Sequence, residues 1–283
     1  MTVEGCEIRY REWGNRGAPG LVLVHGGAAH ARWWDHLAPL LAAAGHHHVL
    51  AVDLAGHGDS GRRERYGLGT WSADVLAAVD DAGMVACPVL VGHSMGGLVA
   101  IAAAARYGER LGGTILVDAP VRRPDPGSTD SRHRRMFRRP GTYPDLDTAL
   151  EHFHLVPPQP APEAYVLDHV ARHSLRHDGA GWTWKFDPGV FLRREDHWPR
   201  DFGALLAQAR CRIAVLHGEL SDSVTTDVTD YMSESLGRMA PFVEVPQAHH
   251  HLILDQPLAF VVAVRALLAD WEHSVPRSIP GLA

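Results

Sequence analysis

VACPVLVGHSMGGLVAI, residues 85–101, is the stretch around which the rest of this chain is organised. Its apolar run Val89–Val91 leads directly into a Gly-His-Ser-Met-Gly turn at 92–96, and an alanine-rich helical pattern follows. A strand, a G-x-S-x-G turn and a helix in this order are typical of a nucleophile elbow, which holds a serine hydroxyl clear of the sheet. The first and last positions suit glycine because a side chain there would collide with a neighbouring strand or helix. Ser94 is therefore a candidate nucleophile, at the positive end of a helix dipole.

Apolar runs and helical patterns alternate on both sides of this turn. Before it, residues 21–24 and 48–52 are typical of buried strands, and residues 33–44 and 70–82 have helical patterns. After it, Thr114–Val117 predicts another strand. Such alternation implies right-handed crossovers and a mostly parallel sheet. We predict an α/β fold, with helices on both faces of a mostly parallel central sheet.

The alternation stops after Pro120 and resumes at Cys211. The segment between them is rich in proline and arginine, carries scattered aromatic residues, and includes the stiff connector Pro-Pro-Gln-Pro-Ala-Pro at 157–162. Its helical patterns are short. We predict that residues 121–205, called the insert below, form a largely helical cap on a core made of residues 1–120 and 206–283.

The composition restricts the class of protein. The chain has 283 residues, of which 46% are hydrophobic and 21% charged, which fits one large α/β domain or a core with an inserted subdomain. A net charge of −6 gives no general reason to expect nucleic acid or an anionic membrane as partner. No secretory signal is evident, and no apolar run approaches the ~20 residues of a membrane span. We expect a cytoplasmic protein that acts on a small molecule.

Cysteine and histidine usage gives no sign of a metal centre. The three cysteines lie far apart and match neither a disulfide framework nor a zinc spacing, so we expect reduced, mostly buried thiols. Histidine occurs 20 times, with runs at 46–48 and 249–251. Adjacent side chains point in different directions and rarely converge on one ion. We expect no metal and no other cofactor.

A serine nucleophile needs a base, and that base works best when a third group orients it. Loops at the carboxyl ends of parallel strands converge on one face of the sheet, so partners of Ser94 are expected in such loops. The loop after the strand that ends at Leu216 contains Glu219 and Asp222. The loop after the strand that ends at Val245 contains the histidine run 249–251.

These motifs together make the chain resemble a capped member of the α/β-hydrolase superfamily, in its serine hydrolase, esterase-like branch. The resemblance extends over nearly the whole chain, and the order serine, aspartate, histidine is that of this fold. The motifs are very specific for the fold and weakly specific for the substrate. They are His-Gly-Gly at 25–27, Asp53 with Gly-His-Gly-Asp-Ser at 56–60, the turn at 92–97, Gly-Glu-Leu-Ser-Asp at 218–222, and residues 250–257.

The resemblance implies which histidine is the base. Family members usually have a glycine, then the catalytic histidine, then an aromatic residue or histidine at this motif. Here His249 occupies the glycine position, which makes His250 the expected base. His249 and His251 are the alternatives.

The resemblance also implies which carboxylate orients the base. In this branch the acid usually falls in a G-x-x-S-D pattern, which Asp222 fits. Glu219 is one alternative. Some relatives place the acid after the preceding core strand, which would nominate Asp118 instead.

An oxyanion needs two backbone donors, and one is the N–H of the residue after the nucleophile, Met95. The resemblance assigns the second to Gly27, with Ala28 as the alternative. Asp53 is expected to be structural, and His93 is expected to point away from Ser94 because side chains alternate along a strand. The side chains expected to line the substrate pocket are His30, Trp33, Trp34, Trp182 and Trp184.

The resemblance implies hydrolysis of a small, fairly apolar carboxylic ester, thioester or lactone through an acyl-enzyme. Epoxide hydrolases and haloalkane dehalogenases share the fold but use aspartate at the elbow, so Ser94 argues against both. Carbon–carbon bond hydrolases keep serine, yet typically have tryptophan and glutamate after the catalytic histidine, which residues 252–254 lack. That class, a cofactor-free haloperoxidase-like enzyme and a non-catalytic ligand-binding protein remain alternatives. The oligomeric state is left open.

Overall fold

A computed structural model of the chain describes residues 1–43, 46–84, 86–125, 141–160, 163–195 and 198–274. Its strands are β1 (Thr2–Val3), β2 (Cys6–Glu7), β3 (Arg9–Trp13), β4 (Gly20–Val24), β5 (His48–Asp53), β6 (Val89–His93), β7 (Gly113–Val117), β8 (Leu175–His177), β9 (Trp182–Trp184), β10 (Ile213–Gly218) and β11 (Phe242–Val245). Its α-helices are α1 (Ala38–Ala42), α2 (Leu68–Asp81), α3 (Met95–Tyr107), α4 (Leu146–Glu151), α5 (Ala164–His173), α6 (Gly189–Leu192), α7 (Phe202–Leu206), α8 (Thr226–Ser235), α9 (Leu252–Asp255) and α10 (Pro257–His273).

Seven strands form the central sheet, in the order β11-β10-β7-β6-β4-β5-β3. Neighbouring strands pair in parallel except β3 and β5, which are antiparallel. The prediction of an α/β fold with a mostly parallel sheet is confirmed. Because β6 lies in the middle, the turn at its carboxyl end has strands on both sides that present further loops to the same edge.

Strands β4, β5 and β7 of the sheet are buried on both faces, and the strand period of two divides their side chains between two hydrophobic clusters. In β4, Val22 and Val24 belong to the cluster packed under α2 and α3, whereas Leu21 and Leu23 belong to the cluster packed under α1 and α10. Double burial explains why these strands are continuous apolar runs in the sequence.

The helical pattern predicted for residues 33–44 is broken in the structure. A 3₁₀ turn at Ala31–Trp34 precedes the short helix α1, which has Pro39 in its first turn. Proline lacks the N–H that a longer helix would use there, so the helix begins at this point instead. In contrast, α3 is a continuous helix where the alanine-rich pattern after the Gly-His-Ser-Met-Gly turn predicts one.

Elements of the insert lie outside the central sheet. Its described residues contain α4, α5, α6, the start of α7, and a separate two-stranded sheet of β8 and β9. The division into core and cap stays a prediction. An arginine-rich run within 126–140 and the tail 275–283 lie outside the described residues.

All three cysteines are free thiols, as expected. Cys6 is buried, but Cys87 is exposed and Cys211 half-buried, so the expectation of mostly buried thiols was wrong for Cys87. Among the helices that the structure describes, none is both long and apolar enough to cross a membrane.

Candidate active site

Ser94 occupies a strained turn between β6 and α3. Its φ of 53° lies in a region that residues other than glycine seldom adopt. The turn is tight because a Cβ added to Gly96 would lie only 2.3 Å from the carbonyl oxygen of Val24. The N–H of Ser94 donates to the carbonyl of Val117 at 2.9 Å, which fixes the turn to β7.

Ser94, His250 and Asp118 form a continuous line of hydrogen bonds. Ser94 Oγ and His250 Nε2 are 3.0 Å apart, and His250 Nδ1 is 2.6 Å from Asp118 Oδ2. An ionised carboxylate only accepts, so His250 carries its proton on Nδ1 and leaves Nε2 to accept from the serine hydroxyl. Proton transfer from Ser94 to His250 therefore requires no change of tautomer.

Asp118 is completely buried and receives donors on both oxygens. Gly218 N–H donates to Oδ1 at 3.1 Å, and Ser221 Oγ donates to Oδ2 at 2.6 Å. The residue follows β7 with a φ of 45°, and its own N–H donates to the carbonyl of Leu216 in β10. These bonds hold the carboxylate toward His250.

The assignment of Asp222 as the partner of His250 is corrected by this geometry. Asp222 is exposed, and its backbone carbonyl accepts from the Arg122 guanidinium at 3.4 Å. The loop after β10 turns the preceding residue, Ser221, inward instead. Glu219, the first alternative, accepts from the N–H of Gln247 at 2.8 Å. The carboxylate that the structure brings to His250 is Asp118, the second alternative.

Within the histidine run, the ring that contacts Ser94 is that of His250. His249 directs its Nδ1 to Asp255 Oδ2 at 3.0 Å. The ring of His251 is buried 5.4 Å from that of Trp33, and burial lowers its pKa well below 6.5. The three neighbouring side chains thus lie in three different environments, and only His250 contacts Ser94.

His93 has a role that sequence reasoning did not identify. It is buried, and its Nε2 lies 2.9 Å from the carbonyl oxygen of His250, so the imidazole N–H donates to the backbone of that residue. Burial, together with the nearby His250, lowers the pKa of His93 to about 3. The side chain points to the loop after β11, a long-range contact with no signal in the sequence.

The loop after β4 packs directly on Ser94. A Cβ added to Gly26 would lie 3.3 Å from Ser94 Cβ, and one added to Gly27 would lie 3.7 Å from Met95 Sδ and 3.1 Å from Phe191 Cζ. Glycines are needed here because the insert and the elbow both approach the backbone. The N–H of Met95 belongs to the first turn of α3, where donors lack partners within the helix.

Two buried side chains brace this loop. Asp53 accepts from the N–H of Ala31 at 2.6 Å and from that of Asp59 at 2.9 Å. His25 Nδ1 donates to the carbonyl of Gly26, and its Nε2 accepts from the N–H of Leu54. Burial raises the pKa of Asp53 to about 6 and lowers that of His25 to about 4.

The residues expected to line a pocket fall into different surroundings. Trp34 is fully buried against Phe260, and His30 Nε2 lies 2.9 Å from Ser174 Oγ in the insert. His30 also lines a polar cavity of about 360 Å³ beside β3, whose described lining does not include Ser94 or His250. The half-buried Trp182 and Trp184 have ring contacts with other residues of the insert, namely His177, Tyr143 and Phe153.

One cluster of histidines has the composition of a metal site. Ring nitrogens of His93, His250 and His251 all lie within 4.8 Å of one another. However, both nitrogens of His250 and Nε2 of His93 already make hydrogen bonds. An ion at this position would have to break the contact between His250 and Ser94 or Asp118.

Comparisons with known proteins agree with the fold. A family model described as the alpha/beta hydrolase family matches residues 21–264. Esterase Rv0045c of Mycobacterium tuberculosis is 28% identical over 284 aligned residues, which cover 94% of this chain and 88% of that protein. Epoxide hydrolase A of the same organism is 36% identical over 124 residues, which cover 43% of this chain and only 38% of that protein.

Solved structures give the same architecture. The crystal structure of E-2-(acetamidomethylene)succinate hydrolase has a TM-score of 0.80 and 19% identity, with 93% of this chain and 95% of that chain covered. Identity at this level shows the fold alone.

Proposed function

The chain belongs to the alpha/beta hydrolase family, and on that premise we propose that it is a serine hydrolase that cleaves small, fairly apolar carboxylic esters, thioesters or lactones. The observation that carries the proposal is the unbroken line of hydrogen bonds from Asp118 through His250 to Ser94. It supplies a nucleophile, a base and an orienting carboxylate in the arrangement that acyl transfer requires. The substrate is a small molecule, and the cytoplasm is the expected compartment.

Acylation begins when Ser94 Oγ attacks the carbonyl carbon while its proton moves to His250 Nε2. The carbonyl oxygen becomes an oxyanion, for which the N–H groups of Met95 and Gly27 are the proposed donors. His250 then gives its proton to the leaving alcohol or thiol, and the carbon–oxygen or carbon–sulfur bond breaks. Ser94 is left as an acyl ester.

Deacylation repeats the sequence with water. His250 Nε2 takes a proton from water as its oxygen attacks the acyl carbon, and the proton returns to Ser94 Oγ as the acid leaves. Asp118 stabilises the imidazolium in both halves and keeps the proton of Nδ1 in place.

The choice of ester-type bonds is supported from two sides. Of the two sequence relatives described above, the one whose alignment covers more of this chain is an esterase. The partial match to an epoxide hydrolase does not favour that reaction, because Ser94 stands at the elbow where such enzymes use aspartate. The Phe191 ring packs close to Gly27, one of the proposed oxyanion donors, which supports a small acyl group.

The Ser94→Ala variant tests this proposal. Removal of the hydroxyl leaves water as the only nucleophile, so turnover of p-nitrophenyl acetate and butyrate should fall by about 10⁶ in kcat. A phosphonate reagent should label Ser94 in the wild type, as mapped by mass spectrometry, and should not label the variant. Equal melting temperatures of the two proteins would control for folding.

Turnover retained by the variant would contradict the proposal. Thioester and lactone substrates, assayed beside the esters, define the bond that is cleaved. Peroxide-dependent halogenation and cleavage of a vinylogous diketone measure the two alternative activities, and tight ligand binding without any turnover would favour the non-catalytic alternative.

A further inference from the structure

A proline-rich stretch of the insert lies against the loop that carries His250. We call residues 156–160 the strap and residues 249–251 the base loop. Gln159 stands between Pro158 and Pro160, is half-buried, and directs its side chain to the base loop. Proline fixes φ, so this part of the strap has little freedom to lose when it docks.

The Gln159 amide makes two hydrogen bonds, one as acceptor and one as donor. Its Oε1 accepts from the backbone N–H of His251 at 2.8 Å. Its Nε2 donates to Asp255 Oδ2 at 3.3 Å. The same Asp255 oxygen accepts from the backbone N–H of His249 at 2.9 Å. The residues on both sides of His250 are therefore held by this pair of side chains.

The backbone of His250 has a third anchor, the His93 imidazole, which donates to its carbonyl oxygen at 2.9 Å. His93 and Asp255 belong to the core, whereas Gln159 belongs to the insert. The strap itself is fixed by Leu155, which is buried in the hydrophobic cluster that also contains Trp33. Of the three side chains that anchor the base loop, Gln159, Asp255 and His93, only Gln159 depends on the position of the insert.

We propose that Gln159 is a positioning residue through which the insert aligns the base with the nucleophile. The inference rests on the proposed role of His250 as the base. A buried N–H that loses its acceptor is costly to leave unpaired, so without Gln159 the base loop shifts to find another partner. Since the contact of His250 Nε2 with Ser94 Oγ spans 3.0 Å, a small shift is enough to disturb proton transfer.

The expected kinetic effect falls on kcat. Misplacement of a reacting group by about 1 Å can cost about 10²-fold in rate, so Gln159→Ala should lower kcat by about 10- to 100-fold. KM should change by less than about threefold, because Gln159 holds the base and not the substrate. The pH at which kcat/KM falls on the acid side of its profile should also shift, whereas a purely structural substitution would leave that pH unchanged.

Gln159→Met distinguishes positioning from simple loss of packing. Methionine keeps most of the length and volume of the side chain but lacks the amide that accepts from the N–H of His251 and donates to Asp255. A role in packing alone would leave kcat of this variant close to the wild-type value. Positioning through the amide requires Gln159→Met to lose about as much kcat as Gln159→Ala.

A readout independent of turnover completes the test. Hydrogen exchange of the peptide 246–254, followed by mass spectrometry on the full-length protein, should be faster in Gln159→Ala by about tenfold or more. The control is Gln208→Ala, whose amide donates to the carbonyl of Ala204 on an exposed turn, and it should change neither exchange nor kcat.

Two results would overturn the inference: exchange and kcat in Gln159→Ala that match the Gln208→Ala control, or kcat in Gln159→Met that matches the wild type. A wild type without Ser94-dependent turnover contradicts the proposed function instead. In that case an unchanged exchange rate would reject the anchor as well, and a faster one would establish that Gln159 holds the loop.

Discussion

A single carboxylate, Asp118, receives three hydrogen bonds at the buried end of the line that leads to Ser94. Replacing it with asparagine keeps the volume but exchanges an acceptor for an amide donor. That donor would face the N–H at Nδ1 of His250 and favour the opposite tautomer. With its proton on Nε2, the imidazole cannot accept one from Ser94.

Asp118→Asn should therefore lower kcat by about 10⁴-fold at unchanged fold, the size seen for such a substitution in a serine protease. Asp222→Asn is the matched control. Because Asp222 is exposed, its substitution should leave kcat within about twofold, as surface changes usually do. Steady-state kinetics on p-nitrophenyl esters measures both, and a large loss confined to Asp222→Asn would reject the assignment of Asp118.

The prediction from the resemblance assigned the acid to Asp222, with Asp118 only as an alternative, and the structure places Asp118 at His250 instead. Both candidate aspartates follow strands whose carboxyl ends meet at the same edge of the sheet, so their spacing along the chain is equally suitable. The choice depends on the left-handed backbone of Asp118 and on a turn that brings Ser221 inward. Neither leaves a signal in one sequence, whereas the elbow does, because its glycines are required sterically.

At the scale of elements, the short helix α6 docks the insert on two loops of the core. The Phe191 ring lies against Gly27, and a Cβ added to Gly56 would lie 2.7 Å from Val190 Cγ1. The adjacent Leu192 points outward and is 56% exposed. Six strands of the central sheet (β4, β5, β6, β7, β10 and β11) and α3 could be predicted from local patterns, but this docking depends on contacts more than a hundred residues apart.

Phe191→Ala should widen the space beside the proposed oxyanion donors and change the preference for acyl length. Each buried methylene contributes about 0.8 kcal/mol, so two further methylenes correspond to about fifteenfold in kcat/KM. The ratio of p-nitrophenyl hexanoate to butyrate turnover should rise by about that factor. Leu192→Ala, the neighbouring control, should leave the ratio unchanged, and an equal rise in both variants would contradict a role for the ring.

At the scale of the whole molecule, burial lowers the pKa of a group of five histidines and so favours their neutral form. They lie in the loops and strand ends near the active site, and burial is the largest cause of the lowered pKa in each. They are His25, His30, His57, His93 and His251. The unfolded chain exposes all five, so between pH 7.5 and 6 it binds more protons than the folded protein.

The sign of the effect follows from this difference. A lowered folded-state pKa means that stability is present above the unfolded value of 6.5 and is lost as pH falls below it. From pH 7.5 to 6.0 each histidine contributes a loss of about 0.8 kcal/mol, or about 4 kcal/mol for the five. Burial raises the pKa of Asp53 and Asp74 to about 6, and their protonation offsets about 1 kcal/mol.

We therefore expect these seven groups to lower the free energy of unfolding by about 3 kcal/mol between pH 7.5 and 6.0, a large share of the stability of a typical domain. Urea denaturation at fixed ionic strength measures it. His57 offers a dissection, because its Nε2 is buried with no partner among the residues that the structure describes, and its ring packs against Trp71. His57→Leu should reduce the decrease by about 0.8 kcal/mol, the share of one histidine. A free energy of unfolding that is constant or rises toward pH 6 would mean that these histidines are protonated in the folded protein. It would reject the conclusion that burial keeps them neutral.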